Sequence, residues 1–207
     1  YIDPVRYISN ESSGKQGYEI ALALDRLGIK TTLIIGPSNL TTQKNIKTKK
    51  IVTANELLIE TKKSLPVDVA VCAAAVSDFK PVVQNKNKLQ KNQNNIKPIK
   101  IEKNKDVLEY LSKNNENRPK LVVGFSAETE NVNKNSITKM KKKNCDLIIA
   151  NNVSKKGIGF NSDYNEVSII DNNGNIKIIK KNKKSYIASK IAEIILDKLL
   201  VDDRSFN

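Results

Sequence analysis

Gly14-Lys15-Gln16-Gly17-Tyr18-Glu19-Ile20-Ala21-Leu22-Ala23-Leu24-Asp25-Arg26-Leu27-Gly28, running on through Ile29-Lys30-Thr31-Thr32-Leu33-Ile34-Ile35-Gly36-Pro37, decides the fold class. Ile20, Leu24 and Leu27 share a face at helical spacing, with Ala21 and Ala23 among them, so residues 14–27 read as a helix. Ser12, Ser13 and Gly14 supply cap and turn chemistry at its start. Gly28 suits the left-handed position that ends it. Thr31–Ile35 then reads as a short buried strand stopped by Gly36-Pro37. Helix, glycine, strand and turn together form one half of a Rossmann-like α/β unit.

The rhythm repeats downstream. Residues 50–53 read as a strand and 55–63 as a helix. Val67-Asp68-Val69-Ala70-Val71-Cys72-Ala73-Ala74-Ala75 is nearly continuous in apolar residues, the mark of a central parallel strand covered on both faces. Leu121–Phe125 and Asp146–Ala150 are two more such runs, with a polar helix at 131–144 between them. Residues 80–104 break the pattern: their apolar content is low, and an excursion of this length inside an α/β domain is either disordered or a functional lid, with a β-hairpin flap the favoured reading. A helix follows at 105–114. Residues 166–180 read as a hairpin turning through Asp-Asn-Asn-Gly-Asn, which adds an antiparallel edge. An amphipathic helix at 185–200 closes the chain. The expected class is α/β: a Rossmann-like, mostly parallel sheet flanked by helices, with a flap and an antiparallel C-terminal edge.

The 207 residues suit a single domain. With 39% hydrophobic residues there is material for a core, and no apolar run is long enough to span a membrane. The N-terminal residues carry Arg6, Glu11 and Lys15 and show no signal peptide. The net charge of +14 fits either a lysine-rich surface or a basic cleft for phosphates. Only 5% of residues are aromatic and the lysines are dispersed, which argues against nucleic acid as a partner. Cys72 and Cys145 lie in apolar runs and read as reduced core residues of a cytoplasmic protein. The absence of histidine excludes Ser-His-Asp and Cys-His catalysis and imidazole metal sites.

Chemistry must then come from Lys, Arg, Asn, Asp and backbone amides. Gly14, Lys15 and Gly17 open a helix whose first N–H groups can hold a phosphate, or serve turn and packing needs. Asn10 could stabilise an oxyanion or a turn. Arg6 could anchor a carboxylate or phosphate bidentately, or sit on the surface. Ala73–Phe79 ends a strand, where ligands of open α/β sheets bind. There the small Ala75 lets a flat ring approach, and Asp78 could hold Mg²⁺ with a triphosphate or cap a turn. Lys86, Lys88 and Lys91 lie in the flap, where a lysine closing on a transferring group would stabilise its charge. Phe125 could pack on a base at the same edge, and Asn161 and Asn165 either place polar groups there or form turns.

Four segments in this order resemble the phosphopantothenate–cysteine ligases, the synthetase half of bacterial coenzyme A biosynthesis bifunctional proteins. They are Asp3-Pro4-Val5-Arg6-Tyr7-Ile8-Ser9-Asn10 with Ser12-Ser13-Gly14-Lys15 and Gly17, Ala73-Ala74-Ala75-Val76-Ser77-Asp78-Phe79, Val122–Thr129, and Gly159–Val167. The resemblance implies that CTP, with Mg²⁺, activates the carboxylate of 4'-phosphopantothenate as an acyl-cytidylate, which cysteine converts to the amide. It implies that Asn10 governs the intermediate, that Arg6 is functional, and that Lys88, with Lys86 as its alternative, covers the intermediate. Asp78, Phe79 and Phe125 would contact the nucleotide, and Gly14, Lys15 and Gly17 its phosphates. A cytoplasmic homodimer is also implied, with FMN only where a flavin-dependent decarboxylase domain precedes Tyr1, and a first strand is expected to be missing from residues 1–207. Lys88 opens Lys-Leu-Gln-Lys where the family has Lys-Ile-Lys-Lys; Asn104-Lys105-Asp106 replaces Asn-Pro-Asp; and Ala150-Asn151-Asn152 replaces Ala-Asn-Asp. The same ligation with ATP, a nicotinamide-dependent oxidoreductase and a non-catalytic basic binding module are the alternatives.

Overall fold

The computed structural model describes residues 1–41, 43–90, 98–113, 116–155, 157–159 and 162–204. Along the chain the elements are α1 (Lys15–Arg26), β1 (Thr32–Ile35), β2 (Lys47–Lys50), α2 (Ala54–Ser64), β3 (Val69–Cys72), β4 (Phe79–Pro81) and β5 (Ile101–Lys103). They continue with α3 (Val107–Ser112), β6 (Leu121–Glu128), α4 (Val132–Lys143), β7 (Leu147–Asn152), β8 (Tyr164–Asp171), β9 (Ile176–Lys183) and α5 (Lys184–Arg204).

The main sheet has the order β3-β6-β7-β8-β9. β3, β6 and β7 are parallel, and β8 and β9 add the expected antiparallel edge. The two-residue period of the strands sends alternate side chains to opposite faces. On one face Leu121, Val123, Leu147, Ile149, Val167 and Ile169 pack with Ile20 and Leu24 of α1 and Ile187, Ile191 and Ile195 of α5. On the other, Val122, Ile148, Ala150 and Ile170 pack with Leu58 of α2, Val107 and Leu111 of α3 and Met140 of α4. Each fully buried aliphatic side chain contributes about 1.5–3 kcal/mol relative to exposure, so this doubly covered sheet is the energetic centre of the fold. Burial also pushes the thiols of Cys72 and Cys145 up, to about 12 and about 11, which leaves both as inert packing groups.

The helix read at 14–27 and the C-terminal hairpin and helix stand where the sequence places them, and Gly28 has φ +78°. The flap has a two-stranded stem, with Phe79 opposite Lys103 and Pro81 opposite Ile101. Its remaining length at 91–97, including Lys91, lies outside the described residues.

Two expectations are corrected. β2 lies at 47–50, directly before the apolar pair Ile51-Val52 that suggested a strand at 50–53. Thr53 instead caps α2, its hydroxyl accepting from the Glu56 N–H at 3.1 Å. β3 stops at Cys72 and hydrogen-bonds to β6 alone, so it is an edge of the main sheet among the described residues and not its centre. β1 pairs with β2 alone, in a separate parallel ribbon. The unpaired edges of β1 and β3 line one cleft of about 2930 Å³, to which Ile20, Leu24, Ile29 and Ile195 also contribute. That is well above the roughly 300–1,000 Å³ of an ordinary small-molecule pocket.

Ile148 has no exposed surface and lies under α2, α3 and α4. Ile148→Ala is expected to cost about 2–5 kcal/mol. Ile178→Ala, on the solvent side of β9, is expected to stay within about 0.5 kcal/mol of wild type. Urea unfolding midpoints at a constant slope check both.

Candidate active site at the strand ends

Beyond Cys72 the chain leaves the sheet as the loop Ala73–Ser77, and the start of α1 comes against it. A Cβ at Gly17 would lie 3.3 Å from Cβ of Ala73, so the first turn of α1 and the alanine loop approach as closely as two small residues allow. Gly14 precedes α1 at φ +70°, a left-handed conformation that disfavours a side chain. Ser12 Oγ accepts from the Gly14 N–H at 3.2 Å and Ser13 Oγ from that of Lys15 at 3.4 Å. The amides of Gln16 and Gly17 belong to the first turn of α1, whose N–H groups have no partner within the helix, and both residues line the cleft at the positive end of the helix dipole.

Side chains then fix the loop. Asn10 Nδ2 donates to the carbonyl of Val76 at 3.1 Å. Asn104 Nδ2 donates to the carbonyl of Ser77 at 2.8 Å and to that of Phe79 at 3.4 Å, while its backbone N–H donates to Asp78 O at 2.8 Å. The Asp78 carboxylate is left exposed on the cleft. Across the opening, Lys139 Nζ donates to the carbonyl of Phe125 at 2.9 Å. Lys143 sits 2.7 Å from Asp106 and 3.0 Å from Glu109.

Electrostatics at this rim is mostly paired. Burial opposes the charge on Lys143, but its hydrogen bonds to Asp106 and Glu109 outweigh that and raise its pKa above 10.5. Asp106 is penalised by burial yet held below 3.8 by Lys143 and the Glu109 N–H; Glu109 is held below 4.5, chiefly by Lys143. Lys15 bonds Asp163 at 2.5 Å, which raises the lysine and lowers the carboxyl. Lys184 lies buried beside this pair, and desolvation, with repulsion from Lys15, lowers its pKa.

Asn10, Gly14, Lys15, Gly17, Ala75, Asp78, Phe79 and Phe125 are thus brought to one cleft, as is Asn165. Arg6, Lys86 and Lys88 do not line it; Arg6 bonds the flap at Leu89, and the two lysines lie on the stretch between the Asn85 and Leu89 anchor points. Asn161 lies outside the described residues. Lys15 is spent on an ion pair with Asp163 rather than left open. No cluster of three carboxylate or thiol ligands exists among the described residues. Asp78 alone therefore fits Mg²⁺ only as an ion that brings phosphate oxygens with it. Sequence reasoning missed Asn104 as a loop clamp and Lys139 and Lys143 as cleft residues. The apolar spacing of α4 is too sparse to fix its register, and only the buried Ser136 and Met140 show which side faces in.

Residues 1–199 match the family described as the DNA/pantothenate metabolism flavoprotein C-terminal domain. The chain belongs to this family. It is 40% identical over 195 residues to the coenzyme A biosynthesis bifunctional protein CoaBC of Haemophilus influenzae, covering 94% of this chain and 48% of that protein. The Escherichia coli K12 protein of the same name is 37% identical over 202 residues, covering 96% of this chain and 48% of its own length. The chain therefore spans about half the length of the curated relatives it matches. Among solved structures, the C-terminal domain of a CoaBC protein superposes with a TM-score of 0.77 at 29% identity, covering 98% of this chain and 90% of that one. A Cab2 H337A mutant in complex with phosphopantothenate-cysteine has a TM-score of 0.72 at 16% identity, covering 97% of this chain and 83% of that one, a likeness of fold alone.

Lys143→Met removes one cation from two carboxylates that are about a third exposed, and is expected to cost about 0.5–1 kcal/mol. The depressed carboxyls contribute stability above their ordinary pKa values and lose it as pH falls through the lowered ones. The raised lysine contributes fully below 10.5 and loses its share as pH rises through its folded value. The gap between wild type and Lys143→Met is thus expected to be full from about pH 5 to 10 and to close beyond both limits. Melting temperatures across that range check it.

Proposed function

We propose that the chain is the ligase domain that joins 4'-phosphopantothenate to cysteine at the expense of CTP. The observation that carries this reading is the meeting of Asn10, the α1 N-terminal amides and the Ala73–Phe79 loop at one cleft rim. The family, the names of the relatives and the ligand of the Cab2 fold neighbour support it.

In the proposed reaction a carboxylate oxygen of 4'-phosphopantothenate attacks the α-phosphorus of CTP and the bond to pyrophosphate breaks. The cysteine amine then attacks the acyl carbon, CMP departs and the amide forms after the amine loses a proton. The Gln16 and Gly17 amides hold phosphate oxygens. Asn10, already oriented by Val76, aligns the acyl-cytidylate for the amine. Phe79 and Phe125 pack on the base, with Ala75 leaving room for its ring. Arg6 and Lys88, held together where residues 2–6 meet the flap beside the cleft, would act on the anionic substrate from there, with Lys86 the alternative to Lys88. Mg²⁺ would neutralise phosphate charge beside Asp78. Positioning and charge complementarity are the catalytic means available to a site without histidine.

The unpaired edges of β1 and β3 support a further reading, that one more strand fills the cleft between them and backs the alanine loop. We also propose a cytoplasmic homodimer; among the described residues no helix is long and apolar enough to cross a membrane. FMN belongs to this reading only through a decarboxylase domain outside the residues described.

The full-length protein, incubated with 4'-phosphopantothenate, cysteine, Mg²⁺ and either CTP or ATP, is expected to release pyrophosphate with CTP. Release with ATP alone would replace the nucleotide, and release with neither would reject the ligase reading. Asn10→Ala is expected to keep pyrophosphate release in the first turnover and to accumulate the acyl-cytidylate; equal loss of both steps would remove its proposed role. Lys88→Ala is expected to lower turnover far more than Lys91→Ala.

A further inference from the structure

Asp3 is the one carboxylate with no exposed side-chain surface among the described ion pairs, and it lies outside the cleft. Its four lone-pair positions all meet donors. Oδ1 accepts from the N–H of Val5 at 2.8 Å and of Arg6 at 2.9 Å. Oδ2 accepts from the Leu89 N–H at 3.2 Å and from Arg6 Nη1. Arg6 Nη1 also reaches the Leu89 carbonyl at 3.4 Å. At the other end of this flap stretch, Asn85 donates to the Ile2 carbonyl through its backbone N–H at 2.9 Å and through Nδ2 at 3.2 Å. Lys86 and Lys88 lie between these two anchor points, on a stretch of chain pinned at both ends by residues 2–6.

We propose that Asp3 is a positioning residue: its carboxylate binds Arg6 and the flap at Leu89 into one unit and thereby sets where Lys88 stands over the reacting substrate. The role rests on the ligase reading for its catalytic half, and on geometry alone for the tether. A long lysine on a loop anchored at one end samples many positions, and about 1 Å of misplacement can cost on the order of 100-fold in rate. Burial raises the pKa of Asp3, but the N–H groups of Val5, Leu89 and Arg6 and the Arg6 guanidinium outweigh it and hold the carboxyl at about 2. The depressed value means that the tether is complete above the ordinary 3.8 and is lost only as pH falls towards about 2.

The chemistry of Asp3 allows the two halves of its role to be separated. In Asp3→Asn the carboxamide oxygen can still accept from Val5 and Arg6, keeping the local turn. The amide NH₂ then meets the Leu89 N–H and Arg6 Nη1, both donors, and the flap bond is broken. Asp3→Ala removes both. The test is made in the full-length protein by amide hydrogen exchange and by single-turnover and steady-state kinetics.

Asp3→Asn is expected to speed exchange at Leu89 about tenfold or more while leaving Val5 near its wild-type rate. It is expected to lower kcat by about 10–100-fold with the KM for CTP unchanged. Asp3→Asn combined with Lys88→Ala is expected to be no slower than Lys88→Ala alone, because residues acting as a unit are not additive. Unchanged exchange at Leu89 overturns the tether. Faster exchange with unaltered kcat, or with losses that multiply with Lys88→Ala, overturns the positioning role. A wild-type protein without turnover removes the catalytic half together with the ligase reading, whereas failure of this proposal alone leaves wild-type turnover intact.

Discussion

Burial of both faces of β6 and β7 constrains everything else in the molecule. With Leu121, Val123, Leu147 and Ile149 sealed under α1 and α5, and Val122 and Ile148 under α2, α3 and α4, the middle of the sheet has no room for polar chemistry. Polar backbone groups that leave it must be satisfied where the strands end. There Asn10 and Asn104 donate to the carbonyls of Val76, Ser77 and Phe79, and Lys139 donates to that of Phe125, just past the last β3–β6 pair. The bonds that complete the sheet's backbone bookkeeping are the same ones that orient the candidate site. A site held by such bonds before any ligand arrives loses little freedom on binding.

The sequence made the periodic parts of this arrangement legible. α1, β6, β7 and the C-terminal hairpin each have enough apolar spacing to reveal both their type and their buried face. β2 was misplaced because Lys47-Thr48-Lys49-Lys50 carries no apolar signal; its strand character comes from pairing with β1, a tertiary fact. β3 was read as central because Val67–Ala75 is apolar throughout, and composition cannot tell a strand paired on both sides from one bordering an apolar cleft. At the site, motif spacing found the residues that line the cleft. It could not find Asn104, Lys139 or Lys143, whose positions depend on how the flap stem and α4 fold back. Asp3 opens the first of the quoted motifs, but its bond to the flap at Leu89 appears only once the flap is laid against it.

The charge of +14 suggests a cleft dominated by lysine, and three of the lysines near the strand ends are already engaged by protein groups. Lys15 is paired with Asp163 and Lys143 with Asp106 and Glu109, while Lys139 is bound to a carbonyl. The α1 amides within the cleft and the Arg6–flap unit at its side are further places that suit an anion, beside cleft-lining lysines such as Lys103, Lys105 and Lys142. Backbone amides have fixed direction and no rotamers to freeze, so they suit a phosphate that must be aligned rather than merely attracted. The surplus charge also attracts anions at long range, an effect that salt would weaken.

The same geometry explains why two departures from the family's motifs leave their contacts standing. In Asn104-Lys105-Asp106 the outer residues act: Asn104 clamps the loop, and Asp106 both accepts from the Glu109 N–H at 2.9 Å and pairs with Lys143. Lysine in place of proline between them removes no bond, and its cost is the greater freedom of the unfolded chain, about 0.4–1 kcal/mol. In Lys88-Leu89-Gln90 the residue after the lysine engages Asp3 and Arg6 through its backbone N–H and carbonyl. Exchanging isoleucine for leucine at that point changes a side chain that the tether does not use. In the first motif the side chains of Asn104 and Asp106 make the contacts; in the second the main chain of Leu89 makes them, against the side chains of Asp3 and Arg6.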